Sequence, residues 1–145
     1  MGYRLFVFDL DETLWCEDLE EVCPYHGPFQ LKGHHLATCA TATVRLRRGT
    51  RQLMRSIHNC GGICSLACRG DAEVCGELLD AFGIRDHFFY PRYGLMEKGE
   101  AILEVLKEIE ECLGVEIRPD EVLFVDDAPA NTKEARRIGA ATLLY

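Results

Sequence analysis

Two pairs of acidic residues each follow a short apolar segment, and together they allow a chemistry that a single acid does not. Asp9 and Asp11 follow residues 3–8, and Asp126 and Asp127 follow residues 121–125. Carboxylates that are brought close together raise one another's pKa unless a cation lies among them. Magnesium prefers oxygen ligands, is commonly held by one or two carboxylates and leaves positions for a substrate phosphate. The four aspartates are therefore candidate ligands of a divalent metal.

The apolar segments before these acids must form neighbouring strands if the carboxylates are to meet. Both segments lack the clean alternation of a half-buried strand, which is typical of strands buried on both faces of a parallel sheet. Ligands of open α/β sheets bind outside the carboxyl ends of the strands. A simpler interpretation is that buried strands just end in solvated acids. That interpretation explains one acid after a strand better than it explains two pairs.

Further strands and helices alternate along the chain, which indicates an α/β fold. Residues 62–68 form a third apolar segment, and shorter candidate strands are residues 87–90 and 141–145. Strands alternating with helices predict βαβ units and a doubly wound, Rossmann-like, mostly parallel sheet. We expect a single domain over residues 1–145.

Four helices are predicted from apolar spacing and capping residues. Thr50 and Asp71 can each cap the start of a helix, and the longest helix carries an apolar stripe that ends at Gly114. A last short helix is expected to begin near Pro129, a favoured first-turn residue, and to end near Gly139.

Residues 14–48 interrupt this alternation because they hold prolines and glycines and no sustained helical period. We predict a loop or small β-hairpin here, which forms a short lid over the site after the first strand. The segment also contains side chains of the types that bind zinc: Cys16, Cys23, His26, His34, His35 and Cys39. The separation of Cys23 and His26 is ligand-like, whereas the remaining spacings fit no standard zinc finger. Zinc binding and a substrate-facing role of the histidines both stay open.

The composition excludes several classes of protein. The 145 residues carry a net charge of −8, and an acidic surface repels phosphate backbones, so we expect neither nucleic-acid nor membrane binding. No apolar stretch approaches the ~20 residues that cross a bilayer. The N-terminus lacks the apolar core of a signal peptide, which predicts a cytoplasmic protein. The eight cysteines are then free thiols, metal ligands or intracellular disulfides.

The motifs also resemble those of a known group of enzymes, the haloacid dehalogenase (HAD) superfamily. Residues 9–13 read Asp-Leu-Asp-Glu-Thr, the Asp-x-Asp-x-Thr first motif of that superfamily, directly after an apolar strand. Lys98 lies upstream of the long helix, where the third motif has its basic residue. Asp126 and Asp127 after a strand are similar to the fourth motif. The resemblance spans residues 3–145.

Within the superfamily, the chain is most similar to the magnesium-dependent phosphatase-1 family. The similarity lies in residues 8–15, in the short insertion with prolines and histidines, and in residues 44–46, 67–69 and 124–127, with Asn131 after them. This resemblance implies a Mg²⁺-dependent phosphatase that acts on a phosphorylated small molecule or a phosphoprotein. Phosphotyrosine and sugar phosphates are the candidate substrates, and the oligomeric state stays open.

The resemblance implies a role for each acid. Asp9 would attack phosphorus to form an aspartyl-phosphate, a route open to carboxylates. Asp11 would protonate the leaving oxygen and then deprotonate the hydrolytic water. Magnesium would be held by the side chains of Asp9 and Asp126 and by the main-chain carbonyl of Asp11, with Asp127 positioning the metal shell or Lys98.

The remaining predicted residues would bind the phosphate. Lys98 would add positive charge against the phosphoryl oxygens. The second motif normally has Ser or Thr at the end of its strand, and Cys68 stands there instead. A thiol is a weak donor, so the backbone N–H groups of Arg69 and Gly70 near a helix start are expected to contribute. The Arg69 side chain is either a phosphate contact or a surface arginine, and Asn131 is a further candidate contact.

Two alternatives to a phosphatase remain at this point. One is another HAD-type hydrolase such as a dehalogenase, which the acids at positions 11 and 127 disfavour. The other is a non-catalytic, zinc-stabilised binding module on a HAD fold, which only Cys68 favours.

Overall fold

In the computed structural model, which describes residues 2–19 and 25–145, strands and helices alternate after an all-β insertion. The strands are β1 (Leu5–Phe8), β2 (Trp15–Leu19), β3 (Gln30–Lys32), β4 (Leu36–Thr38), β5 (Ala42–Leu46), β6 (Ile63–Cys68), β7 (Arg92–Tyr93), β8 (Val122–Asp126) and β9 (Ala141–Leu144). The helices are α1 (Thr50–Asn59), α2 (Ala72–Ala81), α3 (Lys98–Leu113) and α4 (Pro129–Arg137). Two short 3₁₀ turns span Arg85–His87 and Pro119–Glu121.

The main sheet has the strand order β7-β6-β1-β8-β9, and every pair in it is parallel. The central strand β1 lies between β6 and β8, with Phe8 opposite Leu66 on one side and Val125 on the other. The chain winds outward from β1 first in one direction and later in the other. The order therefore reverses between β1 and β8, the kind of position where ligands of open α/β sheets bind.

Helices cover both faces of the main sheet. Met54 of α1 and Leu78 of α2 belong to one buried apolar cluster, and Ile102 of α3 and Ala135 of α4 belong to the other. This arrangement confirms the predicted doubly wound, parallel α/β fold. No helix in the described parts of the chain is both long enough and apolar enough to cross a membrane.

The insertion after β1 is larger in structure than the predicted loop or hairpin. Strands β2, β5, β4 and β3 form a four-stranded antiparallel sheet in that order. Its buried side chains Ala37 and Val44 join the same apolar cluster as α1 and α2, and Trp15 packs at 6.0 Å from the ring of Phe82. The strands are three to five residues long, and β3 is exposed throughout, so they give almost no periodic signal in the sequence.

Two local predictions are wrong. Residues 87–90 do not form a strand: Phe88 makes a single bridge to Cys64, Tyr90 has a left-handed φ of 52°, and the strand comes later, at Arg92–Tyr93. Thr50 does not cap α1 but is its first residue; the cap is Gly49, whose φ of 84° favours glycine. The predicted cap Asp71 is confirmed, because its side chain accepts a hydrogen bond from the Glu73 N–H at 2.8 Å.

Candidate active site

The carboxyl ends of β1 and β8 bring Asp9 and Asp126 together. The two strands are paired in parallel register, and the hydrogen bond from the Asp9 N–H to the Val125 carbonyl, at 3.0 Å, continues this pairing by one residue. Asp9 and Asp126 are both buried, and Asp127 beside them is partly buried. Carboxylate oxygens of these three aspartates lie within 4.8 Å of one another.

Lys98 lies against this cluster and is itself only 1% exposed. Its Nζ is 3.3 Å from Asp9 Oδ1 and 3.8 Å from Asp126 Oδ2, and it donates a hydrogen bond to the Ala67 carbonyl at the end of β6. One ammonium thus faces three carboxylates. When all are ionised, two negative charges remain without a partner.

Burial dominates the electrostatics of the two central carboxyl groups. Loss of water raises the pKa of Asp9 to about 6, although the Lys98 charge opposes the rise and the Asp126 charge adds to it. Burial also raises the pKa of Asp126, against hydrogen bonds that favour its charged form. A further cation among these groups would favour both ionised forms.

The junction of α3 and α4 fixes the position of Lys98. Lys98 is the first residue of α3, rather than upstream of it, and its N–H donates to Glu134 Oε2 of α4 at 2.8 Å. At the next position, a Cβ on Gly99 would lie 2.9 Å from the Glu134 carbonyl oxygen. A side chain there would push the two helices apart, so glycine permits the close approach that aims Lys98 at the sheet edge.

A tight loop after β1 holds the Asp-x-Asp-x-Thr motif. The Leu10 carbonyl accepts hydrogen bonds from the N–H groups of Thr13 and Leu14, at 3.0 and 2.9 Å, and Glu12 has a left-handed φ of 62°. Thr13 Oγ1 lies 3.4 Å from Asp9 Oδ2 and 3.3 Å from Asp127 Oδ1. The hydroxyl links two of the acids, which gives Thr13 a structural role in the loop.

The Asp11 side chain points away from the carboxylate cluster, toward the insertion. Its Oδ1 accepts a hydrogen bond from Nε1 of the fully buried Trp15 at 2.9 Å. Glu17 on β2 also faces Asp11: burial first, and then the contact with the Asp11 carboxyl, raise the pKa of Glu17 to about 8. Sequence reasoning missed both neighbours, because only the turn into β2 brings them back to Asp11.

The second-motif residues lie at the end of β6, next to β1. Ser65, three residues before Cys68 on the same strand, donates a hydrogen bond to the Tyr90 carbonyl at 3.3 Å. The Cys68 sulfur lies 3.8 Å from the Cys75 sulfur. Arg69, half exposed, forms an ion pair with Glu134 at 3.1 Å. This ion pair with Glu134 is neither of the two roles predicted for Arg69 from sequence. A phosphate contact of the Arg69 side chain stays a prediction.

Gly70 and Asn131 are placed close to the acids. A Cβ on Gly70 would lie 2.9 Å from Cys75 Sγ and 3.8 Å from Asp11 Oδ2, so the backbone comes close to the general-acid candidate. Asn131 Nδ2 donates to Asp126 Oδ2 at 3.0 Å, and the Ala128 N–H donates to Asp126 Oδ1 at 2.9 Å. Asn131 thus orients a candidate metal ligand, and its predicted contact with phosphate stays untested.

The cluster of Asp9, Asp126 and Asp127 is the one group of three or more potential metal-binding side chains among residues 2–19 and 25–145. Within that part of the chain, the cysteines and histidines of the insertion form no such group. Cys23 lies outside the described residues. The oxygen-only donor set and the surplus negative charge fit a hard divalent cation better than zinc.

Replacing Lys98 by methionine should destabilise the metal-free protein by about 3–5 kcal/mol near pH 8, because two buried carboxylates lose their partner. The loss should shrink as the pH falls toward about 6 and level off below it, since removal of Lys98 raises the pKa of Asp9 further and protonated carboxyls need no cation. Urea unfolding in EDTA at pH 8 and pH 5 measures both effects.

Lys107→Met on the same helix is the matched control, because the Lys107 side chain is 77% exposed. It should change the free energy of unfolding by less than about 0.5 kcal/mol. Equal effects of the two substitutions at pH 8 would show that Lys98 does not compensate the buried acids.

A protein-family model and several solved structures match this chain. The sequence matches the family model described as Acid Phosphatase over residues 3–145. No curated protein matches it. Among solved structures, a Clostridium difficile protein provisionally named a phosphatase has a TM-score of 0.70 and 17% identity, covering 99% of this chain and 85% of that one.

Two further solved structures are similar to part of this chain. A HAD-superfamily hydrolase from Ehrlichia chaffeensis has a TM-score of 0.60 and 18% identity, over 70% of this chain and 50% of that one. A HAD phosphatase from Thermococcus onnurineus has a TM-score of 0.59 and 16% identity, over 70% and 46%. Identities this low show a shared fold, whereas the family model covers nearly the whole sequence. The chain therefore belongs to the acid phosphatase family, and it is a phosphatase with the HAD fold.

Proposed function

We propose that the protein is a Mg²⁺-dependent phosphomonoester hydrolase that works through an aspartyl-phosphate on Asp9. The observation that carries this proposal is the position of Asp9 at the end of the central strand, with Lys98 Nζ at 3.3 Å and the Asp126 carboxylate beside it. The closer kinship with the magnesium-dependent phosphatase-1 family belongs to this proposal and is supported by the motif residues 8–15.

The side chains of Asp9 and Asp126 and the main-chain carbonyl of Asp11 would hold the metal, with Asp127 next to it. These donors are all oxygens, and two negative charges of the cluster lack a partner, which is what a divalent cation would neutralise. When bound, the ion would shield the approaching phosphate from the nucleophile and stabilise charge in the transition state.

In the first half of the reaction, an Asp9 carboxylate oxygen attacks phosphorus as the bond from phosphorus to the leaving oxygen breaks. Asp11 gives its proton to that oxygen, and the alcohol leaves. In the second half, Asp11 takes a proton from water as the water attacks phosphorus. The bond between phosphorus and the Asp9 oxygen breaks, inorganic phosphate leaves, and Asp9 and Asp11 return to their starting states.

The surroundings of Asp11 suit a general acid. The Trp15 Nε1–H at 2.9 Å fixes one oxygen of the Asp11 carboxyl group, and Glu17 lies beside the same carboxyl group. Trp15 is therefore proposed as a positioning residue.

Phosphate binding would fall to Lys98, to the thiol of Cys68, to the backbone of Arg69 and Gly70 before α2, and to Asn131. Lys98 is already within reach of the carboxylate that would carry the phosphoryl group. A phosphorylated small molecule or a phosphoprotein would be the partner, with phosphotyrosine or a sugar phosphate as the candidate substrate.

Asp9→Asn should lower hydrolysis of p-nitrophenyl phosphate by at least about a thousandfold, because an amide oxygen is a poor nucleophile. The wild-type rate should depend on MgCl₂ and be abolished by EDTA. The test is the rate of nitrophenolate release, measured for wild type and Asp9→Asn with MgCl₂ and with EDTA.

Asp120→Asn is a suitable control, since the Asp120 side chain is 69% exposed and lies before β8, at the opposite end of that strand from Asp126; its rate should equal that of wild type. Activity that survives Asp9→Asn would contradict the assignment of the nucleophile. Absence of turnover in all samples, together with tightly held zinc, would favour the non-catalytic binding module instead.

Trp15→Phe should affect poor leaving groups more than good ones. Without the Nε1–H, the Asp11 carboxyl is less well placed, so kcat for phenyl phosphate should fall about tenfold. Hydrolysis of dinitrophenyl phosphate needs little protonation of the leaving group and should change by less than about twofold. Steady-state kinetics with both substrates measures the difference.

Phe82→Leu disturbs the packing against Trp15 without removing the hydrogen bond. This control should either lower the hydrolysis rates of the two substrates to the same extent or leave both rates unchanged. If Trp15→Phe also affected both substrates equally, the role of Trp15 would be structural only.

A further inference from the structure

Two buried thiols lie side by side where the candidate phosphate-binding loop joins α2. Cys68 is the last residue of β6, and Cys75 is in the first part of α2. Their sulfur atoms are 3.8 Å apart, and each residue is 4% exposed. Among the seven cysteines of the described chain, this is the one pair whose thiols are in hydrogen-bond contact.

The local backbone holds the two sulfurs close together. The Asp71 side chain caps α2, and the Cys75 N–H donates to the Asp71 carbonyl at 2.9 Å, so the first turn of the helix is anchored to the loop. Gly70 lets the loop lie against Cys75, because a Cβ there would be 2.9 Å from its sulfur. A protein disulfide needs an S–S distance of about 2 Å, so oxidation must bring the two sulfurs closer together than their present 3.8 Å.

We propose that Cys68 and Cys75 are an oxidation site that closes to a disulfide and turns off the phosphate-binding loop. With hydrogen peroxide as the oxidant, both S–H bonds break and one S–S bond forms. Hydrogen peroxide is reduced as its O–O bond breaks, and two water molecules form. A thiol reductant such as dithiothreitol reverses the step by thiol–disulfide exchange.

The expected loss of activity rests on the proposed function, whereas disulfide formation does not. The bond would remove the thiol donor of Cys68 at the second-motif position and would pin Arg69 and Gly70, whose backbone N–H groups are the candidate phosphate ligands. It would also shift Gly70, which lies close to the Asp11 carboxyl. Contact with Cys68, together with burial, raises the pKa of Cys75, so the reaction with peroxide should be slow.

Peptide mapping tests the disulfide directly. The folded full-length protein is incubated with hydrogen peroxide, its free thiols are alkylated after denaturation, and trypsin cleaves after Arg55, Arg69 and Arg85. Cys68 is then in the peptide of residues 56–69 and Cys75 in that of residues 70–85. Mass spectrometry should detect the two peptides joined, and dithiothreitol should separate them.

Two alanine variants identify the partner of Cys75. The peptide of residues 56–69 also contains Cys60 and Cys64, so a joined mass alone does not name the cysteine. Cys64 is on the same strand and is as buried as Cys68. Cys68→Ala should abolish the joined peptides, and Cys64→Ala should keep them. No joined peptides in wild type, or an equal yield in Cys68→Ala, would overturn the proposal.

An activity arm tests the switch. Peroxide should lower wild-type phosphatase activity at least about tenfold, with recovery in dithiothreitol, whereas Cys75→Ala should have normal activity and resist peroxide. Joined peptides with unchanged activity would overturn the switch but leave the oxidation site. If the reduced protein shows no phosphatase activity at all, the proposed function fails, and the peptide map still decides on the disulfide.

Discussion

Three carboxylates and one ammonium are held together at the point where the strand order of the main sheet reverses, and Asp9, Asp126 and Lys98 are buried there. Parallel pairing of β1 with β8 forces Asp9 and Asp126 to the same edge, and burial there makes their charges costly. Lys98 compensates only one charge. The surplus is the physical constraint on which the site depends, because it requires either a bound cation or protonated acids.

Much of the surrounding structure serves to keep this arrangement fixed. The absence of a side chain at Gly99 lets α3 approach α4, which places Lys98 at the end of the sheet. Asn131 and the Ala128 N–H orient Asp126, and Thr13 lies between Asp9 and Asp127. The insertion contributes Trp15 and Glu17 to the other side of the loop, where they meet Asp11. The acids thus have different surroundings, one set suited to a metal and a nucleophile and the other to proton transfer.

Sequence predicts the parts of this site that depend on strand ends. Apolar segments followed by acids predict the parallel sheet. They also predict that Asp9 and Asp126 lie close together, because neighbouring parallel strands end at the same edge of the sheet. The four-stranded insertion is not predictable in this way, since its short, partly exposed strands lack periodicity. The contacts of Asp11 with Trp15 and of Cys68 with Cys75 depend on turns, and no spacing rule indicates them. The strand predicted at residues 87–90 does not form because the left-handed backbone of Tyr90, followed by the proline at position 91, interrupts it.

Thermal unfolding of the metal-free protein with increasing MgCl₂ tests most directly whether the carboxylate cluster is a metal site. Magnesium that binds the folded protein raises the Tm by mass action. We predict a rise of a few degrees for wild type and for the exposed-site control Asp120→Asn, and almost none for Asp126→Asn. A rise in Asp126→Asn equal to that of wild type, or no rise in any of the three proteins, would contradict a divalent-cation site built on Asp9, Asp126 and Asp127.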